Sequence, residues 1–187
     1  MAYKAPIDEA KLVKDLQDLK SSEGAFRELM AVYGESLYWL IRKTVMSHDD
    51  ANDLLQNTFL KVWQNIHNFR GDAKLSTWLY KIAINESINF LKKERQRNNV
   101  STDDDDSFLL ETLESDPYFD GDRLQKQLEK AVLSLPDKQR LVFNMRYYDE
   151  MKYEDMSEIL GTSVGALKAS YHHALKKVTA AIEKEEM

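Results

Sequence analysis

The sequence predicts an all-α protein built from two small helical domains. Apolar residues recur at helical spacing in nearly every segment of the 187 residues, and only three prolines and six glycines interrupt them. The exception is residues 98–122, which hold nine acidic residues and no lysine or arginine. Such a segment has too little apolar surface to offset the entropy of ordering it. We therefore expect a helical domain over 1–97, a flexible acidic linker over 98–122 and a second helical domain over 123–187.

The net charge of -6 comes from this linker. Residues 1–97 sum to +2, residues 98–122 to -9 and residues 123–187 to +1. Local charge, rather than the total, decides where a polyanion binds. Both flanking domains are therefore able to contact DNA.

Composition excludes several classes of site. With no cysteine, the chain has no disulfide framework, thiolate zinc site or cysteine nucleophile. His172 and His173 are helical neighbours that point about 100° apart, so we expect no shared metal ion. No nucleophile and base constellation or phosphate loop is present, which predicts a protein that is not an enzyme and needs no cofactor. No apolar run reaches the roughly 18 residues that span a bilayer, and we expect a cytoplasmic protein with no membrane insertion.

The first domain is predicted to contain helices over residues 7–19, 26–45, 50–64 and 75–97, with Gly34 leaving open whether 26–45 is one helix or two. The third begins after Ser47, a hydroxyl cap followed by acids. Its expected core residues are Leu54, Leu55, Phe59, Val62 and Trp63. Its opposite side carries Asp50, Asp53, Gln56, Asn57 and Lys61. That side is either solvated or faces a basic partner helix.

The helix over 75–97 has two different faces. The core face holds Leu75, Leu79, Ile82, Ala83 and Phe90. The second face alternates cations with polar groups, and Trp78 lies at its edge: Lys74, Thr77, Lys81, Asn85, Ile88, Lys92 and Arg95. Cations suit phosphates and flat or amide groups suit exposed bases, so this face is a candidate strand-binding surface, with a solvated face as the alternative. The preceding loop, residues 66–74, adds Phe69, Arg70 and Gly71, and loops on rigid scaffolds often carry binding residues.

The second domain is predicted to contain helices over residues 123–135, 136–148, 153–160 and 164–182. The first places Leu124, Leu128, Ala131 and Val132 inward. The core stripe of the last is Val164, Leu167, Tyr171, Leu175, Val178 and Ile182. A short helix, the turn 161–163 with its glycine and capping Ser163, and a second helix together predict a helix-turn-helix.

The outward side of that last helix suits duplex DNA. It consists of Gly165, Lys168, Ala169, His172, His173, Lys176 and Lys177. No acidic residue occurs between positions 163 and 177. Small residues permit close approach to base edges, and lysines reach phosphates.

Residues 50–93 and 135–178, taken together, resemble the extracytoplasmic-function group of bacterial sigma factors in the sigma-70 family. The resemblance implies a first domain that binds the clamp of core RNA polymerase and the minus-10 promoter element. It implies a second domain that binds the polymerase flap and the minus-35 element, and control by an anti-sigma protein.

Specific residues follow from this resemblance. Those that match the clamp-contacting surface are Asp50, Asp53, Gln56 and Asn57. Those that match the base-capturing loop and the promoter-melting helix are Phe69, Arg70, Lys74, Trp78, Lys81, Asn85, Asn89 and Lys92. Those at the positions that read the minus-35 duplex are Ser163, Gly165, Lys168, Ala169, His172, His173 and Lys176. Lys168, Ala169 and Ser170 stand where relatives often carry arginine, so the base preference of this chain cannot be copied from them.

Two alternatives stay open from the sequence. A ligand-responsive helix-turn-helix repressor would bind a palindromic duplex as a dimer, without polymerase. The acidic linker is either a passive tether or a segment whose Asp103 to Asp106 imitate RNA charge in the polymerase channel. Its apolar residues, Phe108, Leu109, Leu110 and Leu113, leave open a transient docking on another surface.

Overall fold

The computed structural model describes residues 8–98, 107–118 and 123–185, which form nine α-helices and one 3-10 turn. The helices are α1 (Glu9–Gln17), α2 (Ser22–Val45), α3 (His48–Asn65), α4 (Leu75–Arg97), α5 (Ser107–Ser115), α6 (Arg123–Leu133), α7 (Asp137–Tyr147), α8 (Tyr153–Leu160) and α9 (Val164–Glu185), with the 3-10 turn at Ile66–Asn68. The predicted all-α class is confirmed. None of the helices in the described ranges has the length and apolarity needed to cross a bilayer.

Helices α1 to α4 form the first bundle, in which α2, α3 and α4 pack against one another and α1 lies on α2. Its core includes Leu16, Leu37, Ile41, Val62 and Leu79, each less than 2% exposed. Helix α2 continues through Gly34, so the segment that could have been two helices is one. It ends where Met46 adopts a left-handed conformation with φ of 64° and donates its N–H to the carbonyl of Arg42.

Helices α6 to α9 form the second bundle, with α7 and α6 packed on α9. Its core contains Val132, Leu135, Phe143, Ala174 and Val178. Between α8 and α9 the chain turns at Gly161, whose φ of 63° is the left-handed region that glycine tolerates best. The predicted helix-turn-helix geometry is present.

Helix α5 lies within the acidic segment 98–122, and it buries Leu109 and Leu113, which are 1% and 4% exposed. Two expectations from periodicity are wrong. Leu124 and Leu175, both expected inward, are 59% and 38% exposed. Asp103 to Asp106 lie outside the described residues.

The two bundles pack against each other, an arrangement that the sequence does not predict. Helix α4 lies against α8, and α2 lies against α7. Met145, Met156 and Leu167 of the second bundle are buried in the same apolar cluster as the core of the first. Polar contacts also join the bundles, since the Asn144 amide donates to the carbonyl of Lys43 at 3.2 Å.

Candidate nucleic-acid interface

Helix α4 and the loop before it form the first candidate surface, which we call the loop-helix surface. Its residues are Phe69, Arg70, Lys74, Trp78, Lys81, Asn85, Asn89 and Lys92. All are exposed except Phe69 and Trp78, which are partly buried. The rings of these two residues pack together with their centroids 5.1 Å apart. The surface therefore combines an aromatic pair at the start of α4 with a row of cations and amides along the helix.

A small cavity of about 260 Å³ lies beside Trp78. Asn65, Asn68 and Lys61 supply its polar lining, and Trp78 and Ile82 supply its apolar lining. An aromatic wall next to amide groups can stack against a flat base and hydrogen-bond its edge. The sequence does not predict Asn65 and Asn68 as binding residues. They lie at the end of α3 and in the 3-10 turn, and they line one cavity with Trp78 only in the folded bundle.

Two residues from α1 hold the loop in position. The Gln17 side-chain amide donates to the carbonyls of Ile66 and Phe69, both at 2.9 Å. The Glu9 carboxylate accepts from the backbone N–H of Leu75 at 3.1 Å and from the Tyr33 hydroxyl at 2.8 Å. Glu9 thus caps α4 from another helix, where Lys74 at the N-cap position makes no side-chain cap. Burial, reinforced by the Glu9 carboxylate, raises the pKa of Tyr33.

Two members of the predicted second face of α4 are not on the surface. Thr77 is 5% exposed and Arg95 is 7% exposed. Arg95 donates two hydrogen bonds of 2.6 Å to the carboxylate of Asp137 in the second bundle. For Arg95 the prediction failed because Asp137, at the start of α7, lies over it in the folded chain, and sequence periodicity cannot show that contact.

Lys74 is exposed, but its ammonium forms an ion pair of 2.7 Å with Asp155 on α8. Its hydrogen bond to Asp155 raises the pKa of Lys74. At the other end of the surface, Lys92 borders a cleft of about 410 Å³ between α4 and α7, together with Pro136 and Lys138. In this arrangement both ends of the loop-helix surface therefore adjoin the second bundle.

The second candidate surface lies on α3 and is called the α3 acidic face: Asp50, Asp53, Gln56 and Asn57. The last three are exposed and Asp50 is partly buried. The helix begins where Ser47 Oγ accepts the N–H of Asp50 at 3.2 Å, as the predicted cap requires. The face presents carboxylates and amides to solvent on a well-anchored helix.

An apolar patch continues the α3 acidic face. Leu60, one turn after Gln56 on the same side, is 54% exposed, and Trp63, which was expected in the core, is 40% exposed. The Trp63 ring lies edge-on to Phe26 of α2, with centroids 5.0 Å apart, so it is held at the surface. Clusters of exposed large apolar side chains beside polar groups are typical of protein interfaces. Helical phase from Gln56 would have found Leu60.

The third candidate surface, the α9 outer face, consists of Ser163, Gly165, Lys168, Ala169, His172, His173 and Lys176. All seven are exposed. Ser163 Oγ accepts the N–H of Ala166 at 3.3 Å and so caps the start of the helix. The Lys168 ammonium lies 5.7 Å from the centre of the Tyr153 ring, which supports the lysine from α8. The side chains expected to meet DNA are therefore displayed on one continuous helix.

The histidine rings of this face do not converge on a common point. The centroids of His172 and His173 are 6.2 Å apart and their planes are inclined by 58°. Across residues 8–98, 107–118 and 123–185, no group of three or more His, Asp or Glu is arranged to hold a metal ion.

Comparison with protein families matches both bundles. The family model described as Sigma-70 region 2 matches residues 29–97, and the model described as Sigma-70, region 4 matches residues 125–178. The RNA polymerase sigma factor YlaC of Bacillus subtilis is 30% identical over 144 residues, which are 76% of this chain and 82% of the relative. The ECF RNA polymerase sigma factor SigW of the same organism is 28% identical over 169 residues, 84% of this chain and 90% of the relative. The RNA polymerase sigma-H factor of Pseudomonas aeruginosa is 27% identical over 181 residues, 92% of this chain and 93% of the relative.

Solved structures share the fold. CnrH, determined in complex with the cytosolic domain of CnrY, superposes with a TM-score of 0.70 at 19% identity and covers 94% of this chain and 97% of its own. The sigma factor RpoE of Bartonella quintana, determined with the anti-sigma factor NepR, superposes with a TM-score of 0.64 at 20% identity. The alignment covers 84% of this chain and 96% of RpoE.

The relatives and the order of the two matched regions favour a sigma factor over a ligand-responsive repressor. Both regions are present, and the alignments extend across most of each relative. The chain belongs to the extracytoplasmic-function group of the sigma-70 family, and it is an RNA polymerase sigma factor that acts in transcription initiation.

Proposed function

We propose that the three surfaces divide promoter recognition and opening among them. The α3 acidic face and its apolar continuation bind the clamp of core polymerase. The loop-helix surface captures the displaced strand of the minus-10 element, and the α9 outer face docks on the minus-35 duplex. The first domain spans residues 1–97, the linker 98–122 and the second domain 123–187, and the second domain also contacts the polymerase flap.

The observation that carries this proposal is the Phe69 and Trp78 ring pair beside the cavity with Asn65 and Asn68. Opening DNA costs about 1.4 kcal/mol of stacking per base-pair step. Phosphate contacts cannot recover that cost selectively, since phosphates are present in both the duplex and the open strand. A base stacked on an aromatic ring returns about 1–3 kcal/mol. One or two captured bases therefore bias the nucleation of melting, while polymerase contacts supply the remainder.

The polymerase role of α3 rests on charge and apolarity together. Asp53, Gln56 and Asn57 provide polar groups for a basic partner helix, and Leu60 and Trp63 provide apolar area that such a partner can cover. Aromatic residues held rigidly at a surface often dominate binding energy. We infer that Trp63, supported by Phe26, anchors this contact.

The duplex role of the α9 outer face rests on its small and basic residues. Gly165 and Ala169 let the helix approach base edges, His172 and His173 can donate or accept hydrogen bonds there, and Lys176 reaches phosphate. Because no guanidinium is present on this face, bidentate recognition of guanine by arginine is not available. We expect a minus-35 preference that differs from that of arginine-bearing relatives.

Regulation by an anti-sigma protein is part of the proposal. Two proteins with this fold, CnrH and the Bartonella RpoE, were solved in complex with CnrY and NepR respectively. The site of action is the cytoplasm, where core polymerase and the chromosome are found.

The proposal is tested by run-off transcription with core polymerase on a genomic library, which yields the promoter sequence as well. On a promoter so identified, Asn85→Ala and the double variant of Phe69→Ala and Arg70→Ala should reduce permanganate reactivity of the minus-10 thymines about tenfold, while closed complexes measured by mobility shift at low temperature stay within twofold. His172→Ala is the matched control, because it should weaken duplex docking and leave melting per bound complex unchanged.

Equal losses in closed complexes and in melting for the loop-helix variants would contradict the assignment of strand capture to this surface. Specific duplex binding by the purified chain alone, with no transcription from core polymerase, would contradict the function as a whole.

A further inference from the structure

The side chain of Asp116 ties the end of the α5 segment to the first bundle. Its Oδ2 accepts from Arg42 Nη2 at 2.9 Å and from the backbone N–H of His48 at 2.8 Å. The Asp116 side chain is only 5% exposed and that of Arg42 only 9%. His48 is the first residue of α3, so Asp116 satisfies one of the unpaired N–H groups at the start of that helix from 68 positions away.

Two further contacts hold the same segment. Leu109 and Leu113 of α5 are buried in the main apolar cluster. The ring of Tyr118 lies against the His48 imidazole, with centroids 4.0 Å apart. Leu113 and Tyr118 also line one side of a cavity of about 870 Å³ whose other lining residues include Trp39 and Asn52. The linker is therefore docked beside the N-terminal half of α3.

The docked segment also reaches the second bundle. Helix α5 packs on α6, and Glu114 forms an ion pair of 3.2 Å with Lys130. In the same arrangement Lys74 of the loop-helix surface is paired with Asp155 on α8. A DNA strand that follows the loop-helix surface would compete with Asp155 for the Lys74 ammonium, so full use of this surface favours separated bundles. Separation would also disturb the linker, because α5 packs on α6 of the second bundle.

We propose that Asp116 is a latch: its carboxylate holds the linker on the start of α3 in the resting chain, and engagement of core polymerase by the α3 acidic face releases it. This inference rests on the proposed polymerase role of α3. The coupling runs through Gln56 of the acidic face, which lies one turn after Asn52 on the same side of α3, and Asn52 lines the cavity beside the docked segment. A partner seated on the acidic face meets the docked linker at its edge.

The expected magnitude follows from a population argument. If the binding-competent chain is the one with a free linker, the apparent affinity is lowered by the fraction in which the linker is free. Loss of one charge-assisted hydrogen bond changes an equilibrium constant by about tenfold. Weakening the latch should therefore tighten binding to core polymerase by about that factor.

The experiment titrates core polymerase into the full chain, labelled at its N-terminus, and follows amide hydrogen exchange over residues 107–118. Asp116→Asn should tighten the apparent Kd about tenfold and speed exchange in this segment. Leu113→Ala should change both in the same direction without leaving Arg42 unpaired. Glu111→Gln, an equal change of charge on the exposed side of α5, is the matched control and should change neither.

A cross-link tests the effect of holding the linker in its docked position. Because the chain has no native cysteine, a thiol-specific reagent reacts with this chain only at the two introduced positions. Glu35→Cys and Tyr118→Cys, at two positions that line the cavity, are joined with a flexible reagent that has a cleavable spacer. The joined chain should bind core polymerase about tenfold more weakly than the same chain after cleavage.

Unchanged affinity on joining, or equal behaviour of Asp116→Asn and Glu111→Gln, overturns the latch while the proposed function stands. Failure of the unmodified chain to bind core polymerase is a different result, and it overturns the proposed function.

Discussion

Replacing Glu9 tests how the loop-helix surface is held in place. Its two carboxylate oxygens accept from the N–H of Leu75 at 3.1 Å and from the Tyr33 hydroxyl at 2.8 Å. Glu9→Ala removes both acceptors, so the start of α4 loses its cap and a partly buried hydroxyl loses its partner. We expect α4 to fray at the end that carries Lys74 and Trp78.

Glu9→Ala lowers the free energy of unfolding through two separate losses. Loss of a helix cap costs about 1 kcal/mol, and loss of the Tyr33 hydrogen bond costs about 1 kcal/mol more. A total of about 2 kcal/mol lowers the melting temperature by about 4–8 °C in a chain of this length. Glu9→Gln should lose less than half as much, because the amide oxygen can accept from Leu75 while the amide nitrogen donates to Tyr33.

The assay is thermal unfolding followed by circular dichroism, with Tyr33→Phe as a partial variant that keeps the cap. Glu28→Ala, an exposed glutamate on α2, is the control and should leave the melting temperature nearly unchanged. If Glu9→Ala melted within about 1 °C of Glu28→Ala, the trans cap would contribute nothing and the reasoning would be refuted. Promoter melting at constant closed-complex occupancy should fall in the same order as stability.

Two further predictions follow from other parts of the molecule. Lys176→Ala should weaken duplex binding uniformly across sequences and reduce the slope of log K against log salt by about 1, whereas Lys184→Ala, near the end of α9, should leave the slope unchanged in the same titration. Burial raises the pKa of Glu129, against the opposing effects of the Tyr148 hydrogen bond and of Lys43 and Arg42. A raised folded-state pKa means that the folded chain holds this proton more tightly than the unfolded chain. The free energy of unfolding should therefore fall as the pH rises through the raised value. Glu129→Gln keeps an acceptor for Tyr148 and should flatten that fall in urea unfolding at a series of pH values; an unchanged slope would assign it to other groups, such as Asp149, whose pKa burial also raises.

Local pattern determined most of the helices. Helix α4 begins at Leu75 and ends at Arg97 as predicted, because the loop before it and the acidic segment after it end the periodic pattern clearly. The turn at Gly161 and the cap at Ser163 were likewise predictable from the sequence, because the backbone conformation there depends on the local residue types. These are short-range effects, and one sequence contains all the information that they need.

Only the tertiary structure decided which helix faces are covered by neighbouring elements and which contacts hold the helices and loops in place. Arg95 has the spacing of a surface cation, but Asp137 of α7 lies over it, and the two form an ion pair between the bundles in which the arginine is buried. Asp116 looks like one acid among many in an acidic segment, yet it caps α3. Glu9 and Gln17 position the loop before α4 from more than 45 residues away. Such contacts depend on how helices pack rather than on residues adjacent in the chain, so the periodicity of the sequence does not predict them. The family follows from the sequence, whereas the arrangement of the two bundles and the contact of Asp116 with the start of α3 come from the packing.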